Sequence, residues 1–346
     1  MRNSFLITGL ATTALLLAAC SPSTLEEPAD TSPQASPTTA PVQDAPSVVV
    51  TTTVLGSVVG DILRCALGDD SSLTVLMPIG ADPHDFQASS AQVALMADAD
   101  LVVVNGLGLE EGVLDAVENI EADGVTVLEI ASLVDPLPFG QEDDSDHDHD
   151  HHDHSDEEKT EDEDHAGHDH GEFDPHFWFD MERMALAAEL VGGALAASSD
   201  ADFVSCAGSV AEDIRMAEAL VSDALSSVPV ANRVLVTDHD ALGYLATRYD
   251  YEVVGVVIPG GSTLGDPNSQ ELAQLVATME REQVRAIFGD TSASSDLLAT
   301  LSEEVGGDVQ IVELFVGSLG GPDSGAETYI EMMTTNATRI AAALAD

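Results

Sequence analysis

The chain has 346 residues, is 44% apolar and sets 63 acids against 10 Lys and Arg, for a formal net charge of −53. That length accommodates two domains, and the apolar fraction is that of globular protein. The charge repels nucleic acid and favours cations or basic partners, although adaptation of a proteome to salt yields the same excess. At the N-terminus, Met1-Arg2-Asn3 is a short basic start to a mostly small and apolar stretch that ends in Leu17-Ala18-Ala19-Cys20. This has the form of a lipobox, so residues 1–20 read as a cleaved lipoprotein signal peptide with Cys20 as the lipid-bearing residue. The apolar core is too short for a membrane span, which places the mature chain outside the cytoplasm, held to the cell membrane only through Cys20. Residues 21–46, rich in Ser, Thr, Pro and Ala, read as a flexible tether.

Folded structure is expected to start at the β-branched run Val48–Leu55, read as a buried strand. A helix over Ser57–Leu67, a strand at Leu73–Met77, a helix at Ala91–Ala97, a strand at Leu101–Val104, a helix at Glu110–Glu121 and a strand at Val125–Ile130 follow. Helices at about Met181–Ala197 and Asp200–Ser226 have no clear strand between them. The alternation then restarts, with strands at Val234–Thr237, Val253–Ile258, Ala286–Phe288 and Val309–Val316. Helices fall at Ala241–Tyr249, Ser269–Glu282, Ala293–Val305 and Ala326–Leu344. Such alternation predicts an α/β protein with two wound parallel-sheet lobes. The boundaries fall at 47–198 for the first lobe, 199–227 for a connecting helix and 228–346 for the second lobe. Cys65 and Cys206 fall on different predicted helices, and export permits a disulfide between them as well as two buried thiols.

The histidines divide into two sets. His147, His149, His151, His152, His154, His165, His168 and His170 lie in an acidic, low-complexity run over 141–172, whose composition predicts disorder and weak, multiple, exchangeable binding of zinc-like ions. His84, His176 and His239 lie in Asp82-Pro83-His84, Asp174-Pro175-His176 and Asp238-His239-Asp240, each at a loop that follows or ends a predicted strand or leads out of a lobe. Ligands of wound sheets gather at the carboxyl ends of strands. The spacing therefore predicts that these three imidazoles meet around one metal ion in the cleft between the lobes. A flanking carboxylate can hold the other ring N–H, with Asp82, Asp174, Asp238 and Asp240 as candidates. Phe177, Trp178 and Phe179 read as core that also walls the site. Gly106-Leu107-Gly108-Leu109-Glu110-Glu111-Gly112 misses the dinucleotide spacing by one, and the only lysine, Lys159, lies in the acidic run, so no Walker A exists. Nothing resembles an activated nucleophile.

The motifs Gly80-Ala81-Asp82-Pro83-His84-Asp85-Phe86, Asp174-Pro175-His176-Phe177-Trp178-Phe179-Asp180, Thr237-Asp238-His239-Asp240-Ala241-Leu242-Gly243-Tyr244-Leu245 and Glu327-Thr328-Tyr329-Ile330-Glu331-Met332-Met333 together resemble the zinc and manganese solute-binding lipoproteins of bacterial ABC transporters, the ZnuA/TroA type. The resemblance implies two lobes joined by a long rigid helix within 181–226, a metal held between them, and an acidic His-rich loop ahead of the second histidine. It departs at one point. Where the family often takes a carboxylate ligand, this chain has Phe315-Val316-Gly317-Ser318-Leu319, so the fourth position falls to water, to a residue of the His-rich loop or to Asp290.

The resulting expectation is a non-enzymatic, monomeric component of a metal importer. It captures Zn2+, with Mn2+ as the alternative, and delivers it to a permease with a cytoplasmic ATPase. Three imidazoles favour zinc, whereas manganese sites add harder oxygen ligands. The rival readings are a metal-dependent adhesin or metal buffer and, further off, a zinc hydrolase, for which the sequence offers no general-base motif.

Overall fold

A computed structural model describes residues 45–139, 172–197, 199, 201–292, 296–306 and 309–345. Strand β1 (Ser47–Val50), helix α1 (Thr53–Leu67), β2 (Ser72–Val75), α2 (Ser90–Ala97), β3 (Leu101–Val104), α3 (Leu114–Ala122) and β4 (Val127–Glu129) build the first sheet and its helices. The chain then passes through α4 (Met181–Ala196) and α5 (Phe203–Ser226) to β5 (Val234–Thr237). From there α6 (Gly243–Tyr249), β6 (Glu252–Val256), α7 (Ser269–Glu282), β7 (Ala286–Asp290), α8 (Asp296–Val305), β8 (Gln310–Leu314) and α9 (Tyr329–Leu344) complete the second. Both sheets are four-stranded and parallel, in the orders β2-β1-β3-β4 and β6-β5-β7-β8. Each order reverses beside its first strand, so each lobe has a switch point between its first and third strands, where loops diverge and leave a crevice.

The central strands β1, β3, β5 and β7 are largely apolar because both of their faces are buried, and the two-residue period sorts their side chains between two cores. On β1, Val48 and Val50 enter a large shared cluster while Val49 enters a smaller one with Met96 and Ile120. On β7, Ala286 and Phe288 join the shared cluster and Ile287 packs outward with Leu275, Met279 and Leu298. The shared cluster is continuous from Val50 of the first sheet through Trp178 and Phe203 to Leu235, Phe288 and Ile340 of the second half. Helix α5 lies along α4 and packs on α1 and α9, so the connecting helices are part of this core.

Two local expectations shift. The run Val48–Leu55 is strand only to Val50, because Thr52 accepts a hydrogen bond from the Leu55 N–H and caps α1 from Thr53 onward. The capping bond outweighs the strand preference of the β-branched residues. Over 110–121 the first turn is 3-10 (Glu111–Val113) and the α-helix starts at Leu114. The positive φ angles of Gly106, Leu107 and Gly108 form a tight turn there, and the carboxylate of buried Glu110 accepts from the Thr51 hydroxyl and from the Asn105 and Gly106 N–H groups. Burial raises the Glu110 pKa against the effect of those donors.

Cys65 on α1 and Cys206 on α5 form a disulfide with a Cα–Cα distance of 5.7 Å across 141 positions of sequence. Closing so long a loop removes conformations from the unfolded chain, so replacing both cysteines by serine is expected to lower the unfolding free energy by about 2–4 kcal/mol. A lower midpoint in urea, followed by circular dichroism, checks this; an unchanged midpoint contradicts it.

Candidate metal centre

His84 is carried by the long loop after β2, His176 by the residue before the 3-10 turn Phe177–Phe179, and His239 by the carboxyl end of β5. The three come from distant parts of the chain, yet their ring centroids lie 5.6, 5.5 and 5.2 Å apart. One nitrogen of each lies within 4.8 Å of the others, and all three residues are buried. Among the described residues no other group of three His, Cys, Asp or Glu closes in this way.

Two of the rings are aimed by the same device. The Oδ1 of Asp174 accepts the His176 backbone N–H at 2.8 Å and faces its ring Nδ1 at 2.7 Å. The Oδ1 of Asp238 does the same for His239, at 2.8 and 2.9 Å. With Nδ1 so engaged, Nε2 is the nitrogen that points into the cluster. The Nε2 of His176 is buried without a hydrogen-bond partner. Leaving such an atom unpaired is costly, and a bound cation supplies the missing partner. His84 is held differently, since Asp82 Oδ1 accepts its backbone N–H at 2.9 Å. For Asp240 the backbone N–H donates to the Gly260 carbonyl.

The supports of the two carboxylates come from both lobes. Asn105, at the end of β3, donates to the Pro175 carbonyl, and the Tyr244 hydroxyl, on α6, donates to the Asp174 carbonyl while accepting the Leu137 N–H. Asp238 uses its second oxygen to accept the Asp290 N–H at 2.6 Å, which ties β5 to the end of β7. Trp178 stacks edge-on to His176 with centroids 5.2 Å apart, and its indole N–H donates to the Val316 carbonyl. The aromatic stretch is therefore core and site wall together. Asn105 carries no metal-site signal in the sequence beyond its position at a strand end, whereas Tyr244 lies within the motif Thr237–Leu245 but has no role there that the sequence reveals.

Asp290 stands outside the group of donors. Its Oδ1 accepts from the Ser292 and Val316 N–H groups and its Oδ2 from the Ser292 hydroxyl and the Gly317 N–H. Burial raises its pKa against these bonds. At Gly317, where the resemblance leads to the expectation of an acid, an added Cβ would come within 2.5 Å of Pro83 Cδ and 3.3 Å of Asp290 Oδ2. Cys20 and the eight histidines between 147 and 170 lie outside the described residues.

The two buried Asp–His pairs differ in charge. Burial, aided by the charge of His239, holds the His176 imidazole well below its ordinary pKa, and burial pushes Asp174 up to about 8. Burial also works against charging His239, but the Asp238 hydrogen bond and the charges of Asp238, Asp290 and Asp82 outweigh it and raise that pKa. Asp238 is likewise penalised by burial but ends below the ordinary carboxylate value through the His239 bonds and charge and the Asp290 N–H. Without a cation the Asp238–His239 pair is thus shifted towards its ionised form and the Asp174–His176 pair towards its uncharged form. A cation bound by the three imidazoles displaces the His239 proton and draws the proton off Asp174. Affinity for a divalent ion is therefore expected to rise with pH from below 6.5 towards 8, with roughly one to two protons released per ion near pH 7. Calorimetry in two buffers of different ionisation enthalpy measures this, and a buffer-independent heat contradicts it.

The sequence pattern of the family described as the periplasmic zinc-uptake complex component A (ZnuA) matches residues 48–343. The chain is 28% identical to the manganese-binding lipoprotein MntA of Halalkalibacterium halodurans over 81% of its own length and 83% of the relative's. It is also 28% identical to the zinc-binding protein TroA of Treponema pallidum, over 87% and 90%. The solved structure of that periplasmic zinc-binding protein superposes with a TM-score of 0.71 at 27% identity, covering 87% of this chain and all of the other. A Mn-bound periplasmic metal-binding protein from candidatus liberibacter asiaticus superposes with a TM-score of 0.68 at 21% identity, covering 86% of this chain and 99% of that one, a likeness of fold.

Proposed function

We propose, from the premise that the chain belongs to the family of periplasmic zinc-uptake components, that it captures Zn2+ outside the cytoplasm and hands it to a membrane permease driven by a cytoplasmic ATPase. Members of this family are transport components, not enzymes, so the ion is cargo and no general base is called for. The observation that carries the zinc reading is the donor set: three buried imidazoles within 4.8 Å, no carboxylate in the group, and a glycine packed against Pro83 where an acid would otherwise reach in. Imidazole nitrogens suit zinc, and manganese sites draw on harder oxygen donors. His84, His176 and His239 hold the ion through one nitrogen each, and water fills the fourth position, since Asp290 is committed to backbone and serine donors. The lipid on Cys20 keeps the chain at the membrane surface as a monomer, and the histidines of 141–172 act as an accessory, weaker reservoir. A manganese cargo is the second reading, favoured by the likeness to MntA.

Calorimetry with zinc and manganese tests the proposal on the chain without residues 1–20, intact, with 141–171 deleted, and with His84, His176 and His239 changed to Ala. One tight zinc site that survives the deletion and vanishes with the triple change is expected. Asp238→Asn, which spoils the aim of His239, is expected to weaken zinc by about ten- to a hundred-fold. Tighter manganese than zinc binding would replace the cargo, and loss of tight binding with the deletion would overturn the site.

A further inference from the structure

The segment between β6 and α7 holds on to three separate places around the centre. Its Gly260 carbonyl accepts the N–H of Asp240, the residue after His239. The Ser262 hydroxyl, on a buried residue, donates to Glu111 Oε1 of the first lobe at 3.0 Å. The Thr263 hydroxyl donates to Asp82 Oδ2 at 2.5 Å. Gly261 lies flush on the first lobe, since a Cβ there would come within 2.2 Å of the Phe139 ring. Each of these side-chain bonds joins positions more than 150 apart in sequence, 181 for Thr263 and Asp82 and 151 for Ser262 and Glu111.

The Thr263 bond bears directly on the proposed ligand set. Asp82 is a two-ended bridge, with Oδ1 accepting the His84 backbone N–H and Oδ2 accepting the Thr263 hydroxyl. The loop that carries His84 is thus held in place by a hydroxyl from the opposite lobe. His176 and His239 have a buried carboxylate on the ring itself, whereas Asp82 reaches His84 through its backbone. We propose that Gly260–Thr263 is a latch across the cleft, and that Thr263 is a positioning residue which, through Asp82, sets how fast the ion is released. This rests on the reading of the three histidines as the metal site. For the ion to leave, the His84 loop must move off the other two rings, and the Thr263–Asp82 bond must break first. A neutral hydroxyl bound to a carboxylate is a charge-assisted bond, so its loss acts on the dissociation rate more than on association.

The test uses the full chain with Thr263→Val, which removes the hydroxyl at nearly constant shape, and Thr263→Ser, which keeps it. Zinc release into an excess of chelator is followed by stopped flow. Amide exchange of the peptide Gly80–Phe86 is followed by mass spectrometry on the metal-free chain. Thr263→Val is expected to release zinc about ten- to a hundred-fold faster with little change in association rate, and to speed exchange of that peptide. Thr263→Ser is expected to restore both. The latch is overturned if Thr263→Val leaves the exchange unchanged, or leaves release from a zinc-loaded chain unchanged. If the unaltered chain holds no zinc while Thr263→Val still speeds the exchange, the metal reading falls and the latch stands.

Discussion

Three imidazoles buried within 5.6 Å of one another form an arrangement that folding does not favour by itself. Each ring has two nitrogens to satisfy, and protonating more than one of the three sets like charges together in a medium that screens them poorly. The chain meets this by giving two of the rings a carboxylate that chelates both the backbone N–H and the ring Nδ1 of the same residue. The device works from two positions upstream at Asp174 and from one at Asp238, so what is kept is the chelate rather than the spacing. The rest of the local structure serves those two carboxylates. Asn105, Tyr244 and the Asp290 N–H each fix a backbone or side-chain atom on which the aim of a histidine depends.

The two chelates then differ in charge, and the difference has a use. Asp174, buried and raised to about 8, leaves the His176 pair uncharged. Asp238 stays ionised because His239, the Asp290 N–H and its own chelate stabilise the anion. The centre accordingly avoids accumulating carboxylate charge that has no cation to answer it, yet an arriving divalent ion can ionise the second acid and strengthen its own site. The net charge of −53 has little part in this. Exposed charges are screened within about 8 Å at physiological ionic strength, and more steeply in stronger salt, whereas the buried pairs keep their interaction. The global acidity gathers cations near the protein and the chelates select among them.

The parts of this arrangement that were legible in sequence are those set by composition and period. Runs such as Val48-Val49-Val50 and Leu101-Val102-Val103-Val104 announce strands buried on both faces, and three acid-flanked histidines outside a biased tract stand out. Thr51-Thr52-Thr53 misleads because β-branched residues favour strands while a threonine hydroxyl can equally cap a helix, and the capping bond to Leu55 decides between them. Asp290 is one of three alternatives the sequence leaves open for the fourth position, beside water and a residue of the His-rich loop. Sequence cannot show that its oxygens are taken up by Ser292, Val316 and Gly317. Asn105 and Thr263 are not legible as site residues, and Tyr244 is visible only as part of a motif, since a single neutral donor acquires its role only from the acceptor that folding places before it.

Gly317 connects these observations. Its lack of a side chain is visible in sequence, but the reason is spatial: Pro83, next to His84, occupies the place a Cβ would need. The segment that could have supplied a fourth ligand serves instead as a clamp. Val316 takes the Trp178 indole N–H, the Ser318 hydroxyl takes the Gly80 N–H, and the Leu319 N–H bonds Thr53 at the start of α1. The His84 loop is therefore held from the second lobe at two points just ahead of His84, at Gly80 by Ser318 and at Asp82 by Thr263. His176 immediately precedes the 3-10 turn Phe177–Phe179, whose residues lie in the shared core, and His239 follows the central strand β5 by two residues. The loop that carries His84 is held by hydrogen bonds, each a fraction of the cost of repacking a side chain in that core. On the proposed reading, binding and release divide between two imidazoles anchored by carboxylates and a third on a loop held from the second lobe, so that one centre could hold its cargo and also give it up.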